Sequence, residues 1–149
     1  IYGMKNVKWL REIRVIDSDY QGFWQNKGWS DVATVKTTSA IDLQDLQTSA
    51  SFPNGPIEIG GIAFAGSRGI QKVEYRINSA DQWRGAELEK PLSRNTWLRW
   101  KAALNLGPGR YQLETRAFDK DGNAQQSEST PTHPDGAGGY HRVKIRIER

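Results

Sequence analysis

A stretch close to the end of the chain, GYHRVKIRIE at residues 139–148, decides the fold. In it, Val143, Ile145 and Ile147 alternate with Arg and Lys residues. Successive side chains of a β-strand point to opposite faces of the sheet. The period of two therefore predicts a strand with one face in a core and the other in water.

The same alternation recurs upstream of this stretch. It is found at residues 73–77, 97–104 and 111–117, and residues 57–65 also resemble a strand. Gly60 and Gly61 within that last segment indicate a bulge or a close backbone contact. Turns rich in Gly and Pro divide the segments, and no segment sustains a helical period. The pattern predicts an all-β, two-layer antiparallel sandwich.

The first third of the chain is less regular. Val7, Trp9, Ile13 and Val15 alternate with polar residues, which predicts a strand over Val7–Ile16. Residues 17–31 are rich in aromatic and turn-forming residues and predict an irregular segment that wraps a surface. Residues 32–52 are polar and resemble a connector with a short extended piece. The predicted organisation is a leading segment and connector at 1–50 and a sandwich at 51–149.

Composition excludes several classes of protein. The chain has no Cys, so it has no disulfide, thiolate nucleophile or thiolate metal site. The net charge of +4 comes from scattered Lys and Arg, which disfavours a nucleic-acid partner. No apolar run reaches the roughly 20 residues that span a bilayer. Asp119–Asn123 is predicted to be a hairpin turn rather than a calcium loop, and His141 to form a structural hydrogen bond.

Four motifs together resemble a known family. They are GMKNVKWL at 3–10, DYQGFWQ at 19–25, GSRGIQKVE at 66–74 and GYHRV at 139–143. In order and spacing they are similar to the C-terminal, immunoglobulin-like dimerisation domain of sulfite-oxidase-type molybdopterin-dependent oxidoreductases, preceded by the last strand of the cofactor domain. The start at Ile1, without an initiator Met, fits a piece of a longer protein.

The resemblance implies site residues for the intact enzyme. Asn6, Val7 and Lys8 would line one edge of the pocket for the molybdenum-molybdopterin cofactor, with Lys8 facing its phosphate. Trp9 and Leu10 would anchor this strand in a core. Arg68 would reach the small oxyanion substrate, because a guanidinium can bond two oxygens at once. An exposed loop Arg held by a sheet-edge carbonyl is the alternative for Arg68, and the sequence does not decide between them.

The resemblance also implies partners. The family's molybdenum is ligated by a Cys of the cofactor domain, which this chain lacks, so we expect the fragment alone to be inactive and free of cofactor. Its expected partners are its own N-terminal molybdopterin domain and a second copy of the chain. The resemblance implies a bacterial parent, periplasmic or membrane-associated, and the sequence does not fix which. The alternative is a carbohydrate-binding or adhesive β-sandwich module, since the chain contains six Trp and exposed aromatic rings can bind sugars.

Overall fold

Alternating apolar and charged residues form two β-sheets in the computed structural model, which describes residues 7–42 and 49–149. The first sheet has the order β1-β3-β7-β6, and the second has the order β2-β9-β8-β4-β5. The strands in chain order are β1 (Thr38–Asp42), β2 (Ser49–Phe52), β3 (Gly55–Phe64), β4 (Ile70–Ile77), β5 (Arg84–Gly85), β6 (Glu87–Leu88), β7 (Leu98–Leu106), β8 (Gly109–Asp119) and β9 (His141–Ile147).

The strand that the GYHRVKIRIE stretch predicts is β9, which lies inside the second sheet. It pairs with β8 in antiparallel register, with Leu113 opposite Val143. On its other side it pairs with β2 in parallel register, with Phe52 opposite Ile147. Because both edges of β9 are hydrogen-bonded, the register of β9 is fixed. A slip of one residue would turn Val143, Ile145 and Ile147 from the core toward water.

The core lies between the two sheets and is built from the predicted faces. The described chain buries Val73, Leu113 and Ala117 completely, and Trp100 and Ile145 are 2% exposed. These residues come from β4, β7, β8 and β9, so both sheets contribute to one hydrophobic cluster. The all-β sandwich predicted from the period of two is confirmed.

Trp100 explains why two glycines occupy the middle of β3. The indole Nε1 of Trp100 donates a hydrogen bond to the carbonyl oxygen of Ile62 at 3.3 Å, and the ring lies against the backbone of Gly61. A Cβ at Gly61 would lie 2.6 Å from Cζ2 of Trp100. The close backbone contact predicted for this glycine pair is confirmed.

The sandwich begins before residue 51. Strand β1 lies in the segment that resembled a connector, and it pairs with β3 from Thr38 opposite Phe64 to Asp42 opposite Gly60. Of the extended piece suggested by Ile41 and Leu43, Ile41 is in β1 and is buried, whereas Leu43 lies outside the described residues. Within residues 7–42 and 49–149, no helix is long and apolar enough to cross a membrane.

The prediction of a strand over Val7–Ile16 is wrong. These residues form no strand, and Trp9 and Leu10 are exposed rather than anchored in a core, with Trp9 93% exposed. An alternating sequence forms a strand only when a neighbouring strand accepts its backbone hydrogen bonds and a core takes its apolar face. The sandwich described here offers this segment neither.

Candidate functional site: an exposed apolar arm and its anchor

The segment at residues 7–32, here called the arm, carries most of the large exposed apolar side chains of the described chain. Val15 is 99% exposed and Ile13 is 79% exposed. The other members are Val7, Trp9, Leu10, Ile16, Tyr20, Phe23, Trp24 and Val32. Soluble domains rarely display so many apolar side chains in one continuous stretch unless another surface covers them.

The aromatic part of the arm has local structure. A short 3-10 turn spans Gln25–Lys27 and ends at Gly28, whose φ of 85° is in the left-handed region that suits glycine. The rings of Phe23 and Trp24 meet edge to face with centroids 5.0 Å apart. The arm is therefore folded at its C-terminal end, as the prediction of an irregular segment with turns requires.

Contacts with the loop before β9 hold this end of the arm. His133 Nε2 lies 3.1 Å from the carbonyl oxygen of Lys27, and its ring packs edge to face on Trp29 at 5.2 Å. The backbone N–H of Ser30 donates to the carbonyl oxygen of Pro134 at 3.1 Å. The loop rich in Pro and Gly therefore fixes where the arm leaves the sandwich.

Arg68 provides a second attachment, between the segment that follows the arm and the sandwich. We call the group formed by Arg68, Asp119 and Thr37 the anchor. Arg68 lies in a 3-10 turn at Gly66–Arg68, between β3 and β4. Its Nε donates to Oδ2 of Asp119 at 2.8 Å, and its Nη2 donates to the carbonyl oxygen of Val35 at 2.8 Å. The Nη2 group also contacts the Thr37 hydroxyl at 3.3 Å. Arg68 thus ties the chain that leads into β1 to the end of β8.

Asp119 is the centre of the anchor and is completely buried. Its Oδ1 accepts from the backbone N–H of Asn123 at 2.8 Å, and its Oδ2 accepts from the Thr37 hydroxyl at 2.9 Å. Burial alone raises the pKa of Asp119. The hydrogen bonds from Arg68 and Asn123 outweigh burial and lower this pKa from 3.8 to about 2. The carboxylate is therefore charged and satisfied at neutral pH.

The hairpin turn predicted at Asp119–Asn123 is present, and the structure explains its acidic residue. The backbone N–H of Asp119 donates to the carbonyl oxygen of Asn123 at 3.0 Å, which closes the turn. No group of three or more His, Cys, Asp or Glu residues able to hold a metal ion occurs within the described ranges. The pairing of Asp119 with Arg68 could not be predicted from the sequence, because the two residues lie 51 positions apart and neither belongs to a motif that indicates pairing.

His141 forms the structural hydrogen bond that the sequence predicted. Its Nδ1 accepts from the backbone N–H of Ile41 in β1 at 3.0 Å. Burial lowers the pKa of His141 below its usual value, which favours the neutral ring that this acceptor role requires. The contact joins the first strand of one sheet to the start of β9 in the other.

Of the predicted site residues, the structure describes Val7, Lys8 and Arg68, and it does not bring these three together into one pocket. Asn6 lies outside the described residues. Val7 and Lys8 are exposed on the arm, and Arg68 lies in the anchor. An exposed Lys can reach a phosphate presented by another surface, which fits the predicted contact. The roles of Asn6, Val7, Lys8 and Arg68 at a cofactor or substrate stay predictions.

Three of the Trp residues that could have formed a sugar-binding platform contact other groups of the chain. Trp100 is in the core, and the ring of Trp97 stacks on Phe64 with centroids 4.9 Å apart. The guanidiniums of Arg76 and Arg116 lie 4.5 and 4.1 Å from the ring of Trp83. The geometry therefore favours core and packing roles for these rings.

The fold and the arm together define the class of protein: an immunoglobulin-like β-sandwich with an exposed apolar extension. No family model matches the chain. Sulfite oxidase of Gallus gallus is 25% identical over 88% of this chain and 33% of the relative. The mitochondrial sulfite oxidase of Drosophila melanogaster is 28% identical over 83% of this chain and 26% of the relative. The chain therefore spans about a third or less of these relatives.

A solved structure agrees with the fold. The sulfane dehydrogenase SoxCD of Paracoccus pantotrophus superimposes with a TM-score of 0.59 over 73% of this chain and 30% of that chain, at 16% identity. Together with the sequence matches, this confirms the predicted resemblance to a C-terminal domain of a sulfite-oxidase-type enzyme. The structural match alone concerns the fold and not the reaction.

Proposed function

We propose that this chain is the C-terminal domain of a molybdenum-cofactor oxidoreductase and that its arm lies against the cofactor domain of the same polypeptide. The observation that supports the proposal is the exposure of the arm. Trp9 and Val15 are almost fully exposed, although burial of such side chains is worth about 1.5–3 kcal/mol each. A neighbouring domain that covers the arm would recover this energy.

Charge and chemistry suit the same role. The molybdenum-molybdopterin cofactor would supply the redox-active metal centre of the intact enzyme. The residues of this chain would bind and orient it at one edge, with Lys8 and its neighbours Asn6 and Val7 toward the phosphate. Because the chain has no Cys, the thiolate ligand of the metal would come from the other domain. The chain alone is therefore proposed to be inactive.

The anchor supports the proposal because it fixes the point at which the arm leaves the sandwich. Arg68 and Thr37 attach the segment before β1 to Asp119 in β8, and Lys36 Nζ donates to the carbonyl oxygen of Gly136 at 2.7 Å. The arm therefore leaves the sandwich from a fixed point, and the position of the cofactor edge relative to the sandwich would be set by these bonds. An oxyanion contact through the Nε edge of Arg68 would compete with its bond to Asp119.

The arm should be open to protease in this chain and protected in the parent polypeptide. Trypsin is expected to cut at Lys8, Arg11 and Arg14 at least about tenfold faster in the isolated chain, because cleavage needs an accessible, locally extended backbone. In the parent, Val15→Asp should restore rapid cleavage, since a charge cannot be buried there without loss of contact. The measurement is the rate of appearance of the cut species by mass spectrometry.

The matched control is Leu92→Asp. Leu92 is 95% exposed and lies between β6 and β7, outside the arm, so this substitution should leave the cleavage rate of the parent unchanged. Equal cleavage of the arm in the isolated chain and in the parent would contradict the proposed contact. Cofactor content of the parent, measured by elemental analysis, should fall with Val15→Asp and not with Leu92→Asp.

We further propose that the sandwich pairs with a second copy of itself, as the resemblance implies. In multi-angle light scattering, the mass of the chain should rise with concentration from 16.8 kDa toward twice that value. A twofold contact uses the same surface patch on both copies, so the increase should stop at the dimer. A mass that stays at the monomer value at the highest concentration reached would contradict pairing by this domain.

A further inference from the structure

The outward face of the second sheet carries charged side chains. At the end of this face that contains Glu114 and Glu74, acidic and basic side chains form ion pairs. Glu114 of β8, although 1% exposed, accepts hydrogen bonds from Arg76 of β4 and from Arg142 of β9. In the next row, Nη2 of Arg116 lies 2.6 Å from Oε2 of Glu74. Each carboxylate in this half therefore faces cations on the neighbouring strands, which is the stabilising arrangement of cross-strand pairs.

At the other end of the same face, the described residues provide no such compensation. Arg110 of β8 lies directly opposite Arg146 of β9, and Lys144 lies opposite Gln112 one row away. On the far side of Arg146 the register partner is Ser51 of β2. Like charges directly opposite each other on neighbouring strands destabilise a sheet. Across the ranges that the structure describes, no ion pair within 4.0 Å involves Arg110, Lys144 or Arg146.

A nearby acid does not neutralise this end. Glu148 accepts a hydrogen bond from the Ser51 hydroxyl at 2.9 Å and forms no ion pair with a described Lys or Arg. Arg149 lines the adjoining cavity with Arg110 and Arg146. Four cations, Arg110, Lys144, Arg146 and Arg149, thus line two adjoining cavities, and this concentration of positive charge raises the local concentration of anions.

The cations line a groove that also contains neutral polar residues. Its walls are formed by Arg110, Lys144 and Arg146, with the polar residues Ser51, Asn78 and Gln112 beside them. Residues directly opposite on neighbouring strands have Cβ atoms about 5 Å apart, so two guanidiniums can reach one ligand from both sides. Each guanidinium can present two parallel N–H groups to a pair of oxygens. We call these residues the basic groove.

We propose that the basic groove binds a small doubly charged oxyanion, phosphate or sulfate, held between Arg110 and Arg146. A dianion offers enough oxygens for two guanidinium forks and removes the repulsion between them, whereas chloride satisfies neither requirement. The inference goes beyond the proposed function and does not rest on it, because no residue of the arm or the anchor is involved.

Binding can be measured on the chain itself by isothermal titration calorimetry with sodium sulfate and with sodium phosphate, at ionic strength held constant with chloride. Arg146→Gln and Arg110→Gln should each weaken sulfate binding about tenfold or more, since each removes a charge-assisted pair of hydrogen bonds. Both variants should fold, because each removes a like-charge contact at an exposed position. Thermal unfolding with and without sulfate provides a second readout: sulfate should raise the midpoint of the unmodified chain more than that of Arg146→Gln or Arg110→Gln, beyond the general stabilisation that sulfate gives any folded protein.

The matched control is Arg99→Gln. Arg99 is an exposed Arg on the other sheet, and its nearest carboxylate, that of Glu89, is 3.7 Å away. This variant should bind sulfate as the unmodified chain does. Lowering the pH from about 8 to about 6 adds a proton to much of the phosphate, so phosphate binding should weaken while sulfate binding stays constant. Equal affinity in Arg146→Gln and the unmodified chain, or no binding beyond that of chloride, would overturn the proposal.

Discussion

Replacing Gly61 by alanine is expected to be among the most disruptive single substitutions in this domain. The added Cβ would lie 2.0 Å from the carbonyl oxygen of Ala40 and 2.6 Å from Cζ2 of Trp100. Neither neighbour can yield easily, because the first is backbone in β1 and the second is a buried ring. We expect a loss of more than about 4 kcal/mol in the free energy of unfolding, measured by urea denaturation.

The Gly61→Ala substitution should also affect the arm, because the strand that would have to move is β1. Strand β1 follows directly on Thr37 and the anchor, so its displacement from β3 would also loosen the attachment of the arm. Gly85→Ala is the control, since a Cβ at Gly85 would meet nothing within 4 Å, and a change within about 1 kcal/mol is expected. Similar stability of Gly61→Ala and Gly85→Ala would show that the close packing of β1, β3 and Trp100 is not restrictive.

The strands that the sequence predicted are those whose alternation is local and sustained. In β9, Val143, Ile145 and Ile147 each face the core, and the charged residues between them face outward. Sequence reasoning could not supply which strands are neighbours. The parallel pairing of β2 with β9, for instance, joins residues almost a hundred positions apart. Neither residue type nor spacing in Ser49–Phe52 indicates that partner.

The wrong strand at Val7–Ile16 shows the opposite failure. Its alternation is as regular as that of some true strands. However, a period of two shows only which side chains are apolar, and it does not show whether a partner surface is present to bury them. Among the residues that the structure describes, the sandwich offers no partner surface for Val15. The anchor could not be predicted from local sequence either. The turn motif at Asp119–Asn123 is sufficient to account for an Asp at this position, so nothing points to Arg68 as its partner.

The buried carboxylate of the anchor should make the domain sensitive to acid. The pKa of Asp119 in the folded chain, about 2, is below its ordinary value of 3.8. The stabilisation is therefore fully present above about pH 4 and is lost as the pH falls toward 2. The difference corresponds to about 2 kcal/mol. Asp119→Asn should flatten this part of the stability profile, whereas Asp121→Asn, an exposed neighbour in the same turn, should leave it unchanged.

At neutral pH, Asp119→Asn should cost about 3–5 kcal/mol in the free energy of unfolding, because it leaves the Arg68 guanidinium without its charge partner. Arg68→Met should cost a similar amount, and the double variant should lose much less than the sum of the two. Denaturant unfolding of the four proteins measures this coupling. An additive result would mean that the pair contributes little to folding, and Arg68 would then be available to an oxyanion at little expense to the sandwich. Strong coupling would instead mean that a ligand that takes the Nε edge of Arg68 must replace Asp119, so the anchor and an oxyanion contact through that edge would exclude each other.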